Sequence, residues 1–239
     1  MARVLITRAE PEASATAALM ASMGHDPVVL PLTQTEALQE GLSDIQGLSG
    51  SDADLFIVTS VRAIQVLAAA GLSAWAVKQR WAVVGERAAS LLGDFGADLI
   101  APPTANVAKL IDLLSDRGEP MIYLAAFDRK PVLEERFPRM RVIPIYRAKA
   151  LGGFDPAAIN ILRTDPPSHA LVYSARGAGL LAEAISKALL SEDLRAMRWL
   201  CLSPHVAAHC PEAARGADRV KVADEPTQAA LLSLLPSPS

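Results

Sequence analysis

The 239-residue chain is predicted to be an α/β protein made of two flavodoxin-like domains, each with a parallel sheet of five strands. Three observations predict this. Short apolar segments that lack polar alternation are separated by amphipathic helical stretches, which is the pattern of parallel strands covered by helices on both faces. Several of these segments end in a small or hydroxylated pair and turn at once into a helix. The whole pattern also occurs twice, so one structural unit has been duplicated.

In order, "RVLITRAEPEASATAALMASMGHDPVVLP" (3 to 31) reads as strand, helix, strand. "LFIVTSVRAIQVLAAAG" (55 to 71) is a strand, the pair Thr59-Ser60 and a helix. "RWAVVGERAASLLGDFGADLI" (80 to 100) adds a strand, a tight turn at Gly85-Glu86, a helix and a further strand. Pro103-Thr104 then opens a final helix, and "MIYLAAFDRKPVLEERFPRMRVIPIY" (121 to 146) repeats the opening strand, helix, strand. The second copy continues with "ALVYSARGAGLLAEAI" (170 to 185), "RWLCLSPHVAAHCPEAARGADRV" (198 to 220) and a last helix after Pro226-Thr227. The same interval separates Ser60 from Ser174 and Arg62 from Arg176. The breaks fall at "LPLTQTEAL" and "IPIYRAKALGGFD", where an apolar strand gives way to polar residues. Two partitions satisfy this repeat: sequential domains, or exchanged ones in which residues 36 to 145 form one domain and the chain ends form the other.

Composition narrows the partners. There is no run of 18 apolar residues, so no membrane span is expected. A net charge of −3 without a basic stripe argues against nucleic acid. The start runs directly into a strand and an acidic helix opening, so a cytoplasmic location is expected. Cys201 and Cys210 form no CxxC and read as reduced structural thiols without a disulfide.

In open α/β sheets ligands bind beyond the carboxyl ends of the strands. The turns there are Thr7-Arg8, Thr59-Ser60, Gly85-Glu86, Ser174-Ala175 and Ser203-Pro204, joined by the helix start at Thr227. Hydroxyls at helix starts cap free N–H groups, and the same groups with the helix dipole bind anions. Such turns suit carboxylates and offer no strong nucleophile. There is no GxGxxG, GxxxxGK[ST], GxSxG or HExxH, so nucleotide, α/β-hydrolase and zincin chemistry are set aside. Gly177 and Gly179 are expected inside a helix for close packing. His205 and His209 lack a third ligand, so no metal is expected, and His25 and His169 read as loop residues. Tyr146, in the second break, either packs in a core or presents its phenol to a ligand.

Together "VLITRAEPEA", "FIVTSVRAIQVL", "WAVVGERAASLL", "IPIYRA", "LVYSARGAGLL" and "EPTQAALL" resemble the uroporphyrinogen-III synthase family over almost the whole chain. The resemblance implies the exchanged arrangement: residues 1–32 with 151–239, residues 36–145, and linkers 33–35 and 146–150 as two antiparallel strands, with the active-site cleft between the domains. It implies a cofactor-free enzyme that takes hydroxymethylbilane, a linear tetrapyrrole with eight carboxylates, and closes it with loss of water and inversion of ring D. Tyr146 is then the candidate donor to the departing hydroxyl, and Thr59 borders the cleft. Arg8, Ser60, Gly85, Ser174, Ser203 and Thr227 are the remaining candidate substrate contacts. A monomer is implied, in transient contact with hydroxymethylbilane synthase. Relatives carry glycine and a basic residue where this chain has Ala126-Phe127, with Arg129 and Lys130 as the nearest replacements. They also differ at Ala88 and His205. The alternative reading is a two-domain binding protein that holds a small polyanion without catalysis.

Overall fold

The computed structural model of the chain describes residues 1–48 and 55–237. The chain divides into two compact units, Met1–Gln34 with Lys149–Ser239, and Thr35–Ala148. The first unit opens with β1 (Arg3–Ile6), α1 (Glu12–Ser22) and β2 (Asp26–Val29). Next come β3 (Thr33–Ala37), α2 (Gln39–Gln46), β4 (Leu55–Val58), α3 (Val61–Ala69), α4 (Ser73–Ala76), β5 (Arg80–Val83) and α5 (Glu86–Phe95). The short β6 (Asp98–Leu99), α6 (Val107–Leu114), β7 (Met121–Ala126), α7 (Val132–Arg136) and the long β8 (Arg141–Ala150) follow. The first unit is completed by α8 (Pro156–Thr164), β9 (His169–Val172), α9 (Ala175–Lys187), β10 (Arg198–Cys201), α10 (Pro204–Ala207), α11 (Glu212–Gly216), β11 (Val220–Val222) and α12 (Gln228–Leu232).

The first sheet has the order β11-β10-β9-β1-β2 and is parallel throughout. The second has the order β3-β8-β7-β4-β5-β6, parallel from β8 to β6. Apart from β3, both share one spatial order: a strand-helix-strand pair forms one edge and three further strands complete the sheet. In the first unit that pair comes before the other three in the chain, and in the second it comes after them. The first unit is thus built from both ends of the chain and the second from its middle.

Six strands in the second sheet exceed the five expected. The reason is β8, which continues through Ala150 and exposes a free edge. Leu38 N–H donates to Ile145 C=O at one end and Leu151 N–H to Leu32 C=O at the other, so β3 runs antiparallel to it. Glu36 and Arg147 form an ion pair across this ladder. Residues 146–150 are thus regular strand.

The unalternating strands follow from burial on both faces. Leu5 packs in one cluster of the first unit while Val4 and Ile6 pack in the other. Phe56 and Val58 divide from Leu55 and Ile57 in the same way in the second unit. Each fully buried Val, Leu or Ile contributes about 1.5–3 kcal/mol relative to an exposed one. Trp81 is wholly buried, with its indole N–H donating to Ala76 C=O at 2.9 Å.

Three local expectations are corrected. The helix expected after β10 is broken into α10 and α11 at Pro211, which lacks the N–H a continuous helix needs. Thr104 starts no helix: its N–H and Oγ1 both donate to Val83 C=O, at 3.0 and 3.1 Å, and Asn106 caps α6 instead. His169 is the first residue of β9 rather than a loop residue, whereas His25 lies in the loop before β2, and both are buried. His25 Nδ1 accepts from Ala2 N–H at 3.3 Å. Burial first, then the nearby Arg198 and His25, lowers the pKa of His169.

Candidate functional site

All the candidate turns lie at the carboxyl ends of strands. Ser60, Ser174, Ser203 and Thr227 each have an extended backbone and accept a hydrogen bond from the first turn of the helix that follows. The donors are Arg62 at 3.3 Å, Gly177 at 3.0 Å, Val206 at 3.4 Å and Ala230 at 3.2 Å. Each hydroxyl thus satisfies one free N–H of its turn; in α3 Ala63 N–H also donates to Ser60 C=O at 3.1 Å, and α10 begins with Pro204, which has no N–H to offer. The four starts are unequal: α3 has 9 residues and α9 has 13, whereas α10 has 4 and α12 has 5. The dipole is correspondingly larger behind Ser60 and Ser174.

Gly85 differs. Its φ of +88° is one that residues with a Cβ rarely adopt, and its N–H already donates to Thr104 C=O at 2.9 Å. It shapes the turn before α5 and offers no amide of its own. Gly177 and Gly179 are not packing glycines either: a Cβ at Gly179 would meet nothing within 4 Å, and one at Gly177 would meet only the capping hydroxyl of Ser174, at 3.1 Å.

In the first unit Arg8 gathers the turns. Its guanidinium carbon lies 4.2 Å from the centre of the Tyr173 ring, and Nη1 donates to Gln228 Oε1 at 3.2 Å and Thr16 Oγ1 at 3.4 Å. Arg8 therefore stands beside the residue preceding Ser174 and the residue following Thr227. Among the described residues the enclosed Tyr173 hydroxyl has no hydrogen-bond partner.

In the second unit Thr59 Oγ1 lies 2.7 Å from the hydroxyl of Tyr123, a β7 residue that sequence reasoning passed over. The available signal was a tyrosine inside an otherwise apolar strand, whose hydroxyl must find a partner when buried. Burial holds the Tyr123 pKa above the ordinary phenol value; the Thr59 bond opposes this, and Tyr146 and Glu134 reinforce it.

Tyr146 is 7% exposed and packs in the cluster containing Phe56, Ile143 and Ile145. It lies where the β7–β8 register slips, and its C=O accepts from Phe127 N–H at 2.7 Å. Among the described residues no hydrogen bond of its hydroxyl is seen. Beside it Phe127 is 60% exposed. Arg129, one of the two nearest replacements for the missing basic residue, binds Glu134 Oε1 at 2.5 Å and Ala126 C=O at 3.0 Å.

Among the described residues no group of three or more His, Cys, Asp or Glu is placed to hold a metal. His209 Nδ1 donates to His205 C=O at 2.9 Å. Cys201 and Cys210 are both buried, with sulfurs 3.4 Å apart, a contact their spacing did not reveal. Their mutual hydrogen bond, then burial, pushes the Cys201 thiol pKa up, and the same bond lowers that of Cys210.

The family profile described as Uroporphyrinogen-III synthase HemD matches residues 14–233. The chain belongs to the uroporphyrinogen-III synthase family. Enzymes of this synthase family cyclise a tetrapyrrole substrate. The solved uroporphyrinogen-III synthetase of Helicobacter pylori aligns over 98% of both chains with 15% identity and a TM-score of 0.61. A mutant uroporphyrinogen-III synthase of Thermus thermophilus aligns over 98% of this chain and 96% of its own, with 22% identity and a TM-score of 0.54. At these identities the likeness establishes the shared synthase fold. No curated protein sequence matches the chain. No helix among the described residues is long and apolar enough to cross a membrane.

Proposed function

We propose that the chain cyclises hydroxymethylbilane to uroporphyrinogen III as a hydro-lyase that needs no cofactor. The profile match across residues 14–233 carries this reading. The terminal hydroxyl leaves as water to give an azafulvene, the substituted carbon of ring D is attacked to form a spiro-pyrrolenine, and cleavage and reclosure invert the ring. No protein nucleophile is required. The protein contributes proximity and disfavours direct closure to the type I isomer.

The site chemistry supports this assignment. A protein with net charge −3 must bind a polycarboxylate locally, and the open amides at the starts of α3 and α9, with Arg8, are suited to that. Each hydrogen bond to a charged group is worth about 1.5–3 kcal/mol, so a few suffice. Ser203 and Thr227 add smaller terms, and Gly85 sets the backbone of its turn. Tyr146, the tyrosine that the family resemblance points to, is the donor to the departing hydroxyl. The enzyme acts as a cytoplasmic monomer that meets hydroxymethylbilane synthase only transiently.

A binding protein without catalysis would leave the isomer ratio of the spontaneous reaction unchanged. Wild-type protein with chelator present should give mainly uroporphyrin III after oxidation, against mainly type I without protein. A ratio at the control value overturns the synthase reading. Ser60→Glu should move the product back toward type I, because the added carboxylate occupies the positive end of the α3 dipole and repels the substrate.

A further inference from the structure

Thr59 has a hydroxyl that its own helix does not use. Ser60 caps α3, and the side-chain bond described for Thr59 is the 2.7 Å contact with Tyr123. Tyr123 is buried on β7 and Thr59 is half-buried at the end of β4, so the bond runs from the interior of the sheet to its ligand-facing end. Packing alone would be met by phenylalanine at position 123. Phenylalanine would also spare the chain the burial of a hydroxyl.

A threonine hydroxyl has one proton and two lone pairs, and its χ1 is stiff because Cβ is branched. If Thr59 donated to Tyr123, it would present only lone pairs to a carboxylate, and these repel. If Tyr123 donates, the Thr59 proton is released for a second bond. A buried, neutral phenol is suited to donate, and a polyanionic substrate selects that sense.

We infer that Tyr123 is a positioning residue for Thr59: its phenol donates to Thr59 Oγ1 and so orients the threonine's own O–H as a donor to a substrate carboxylate. This rests on the synthase reading above and names the residue behind one of its contacts.

The test is a double-mutant cycle of Thr59→Val, Tyr123→Phe and the double variant. It is read as KM and kcat on hydroxymethylbilane, as Kd for uroporphyrin III by fluorescence quenching, and as the urea unfolding midpoint. Thr59→Val should raise KM and Kd about tenfold and Tyr123→Phe about threefold to tenfold, with kcat nearly unchanged, as expected for a lost hydrogen bond to a charged group. The double variant should be no worse than Thr59→Val, because both changes remove one interaction in series. Additive effects, or a Tyr123→Phe protein with wild-type KM and Kd, overturn the inference. A purely structural tyrosine would lower the unfolding midpoint and leave KM and Kd alone, which also overturns it. If wild-type protein does not turn over hydroxymethylbilane but the non-additivity persists in Kd, the positioning role stands and the synthase reading falls. The opposite result sinks the positioning role alone.

Discussion

Gly41→Ala is expected to destabilise the second unit by about 3 kcal/mol, the upper end for overpacking, with a clear fall in the urea midpoint. Helix propensity points the other way, since alanine is favoured over glycine inside a helix by about 0.5–1 kcal/mol. The steric contact decides the sign. A Cβ on Gly41 would lie 2.1 Å from Pro144 C=O oxygen and 3.0 Å from its carbon, with Ile143 Cγ2 at 3.3 Å. The first two atoms are backbone in β8 and cannot rotate away. α2 would have to lift from β8, opening the packing of Leu42 and Ile45 against Ile143 and Ile145. Tyr146 lies two residues along the same strand, so turnover should fall with stability. An unchanged midpoint would show that α2 does not sit this tightly on the strand in solution.

Gly41 also marks what a sequence conceals. Nothing near it distinguishes it from a tolerated helical glycine, because its requirement comes from a strand about a hundred residues away. The parallel sheets were legible because burial on both faces removes polar alternation, as in "RVLI" and "LFIV", where neighbouring residues enter opposite cores. The caps at Ser60, Ser174, Ser203 and Thr227 were legible because capping is local in the chain. β3 was harder to see: "TQTEA" is polar, as a partly exposed edge strand can be, and its pairing depends on how far β8 extends. The Thr59–Tyr123 bond and the Cys201–Cys210 contact were hidden for the same reason as Gly41, since the fold alone brings those side chains together. The differences among the turns could not be read from their local chemistry. They depend on helix length after the cap and on whether an amide, such as that of Gly85, is already taken.

Tyr146→Phe should fold with a wild-type unfolding midpoint and lose about 10- to 10³-fold in kcat, the range for removing one acid or hydrogen-bond donor. The two halves of this prediction rest on different atoms. The ring packs against Phe56, Ile143 and Ile145, and phenylalanine keeps that packing. The hydroxyl has no hydrogen-bond partner among the described residues, so its removal leaves no protein group unpaired. A donor that assists hydroxyl departure acts before the path divides between the two isomers. The slowed enzyme should therefore still make type III on its own turnovers, and type I should accumulate only through unassisted closure of free substrate. Raising the concentration of the variant until it outpaces that background should restore the type III product. Persistent type I at saturating variant would mean that Tyr146 directs ring inversion rather than water loss, and wild-type kcat would remove it from the mechanism altogether.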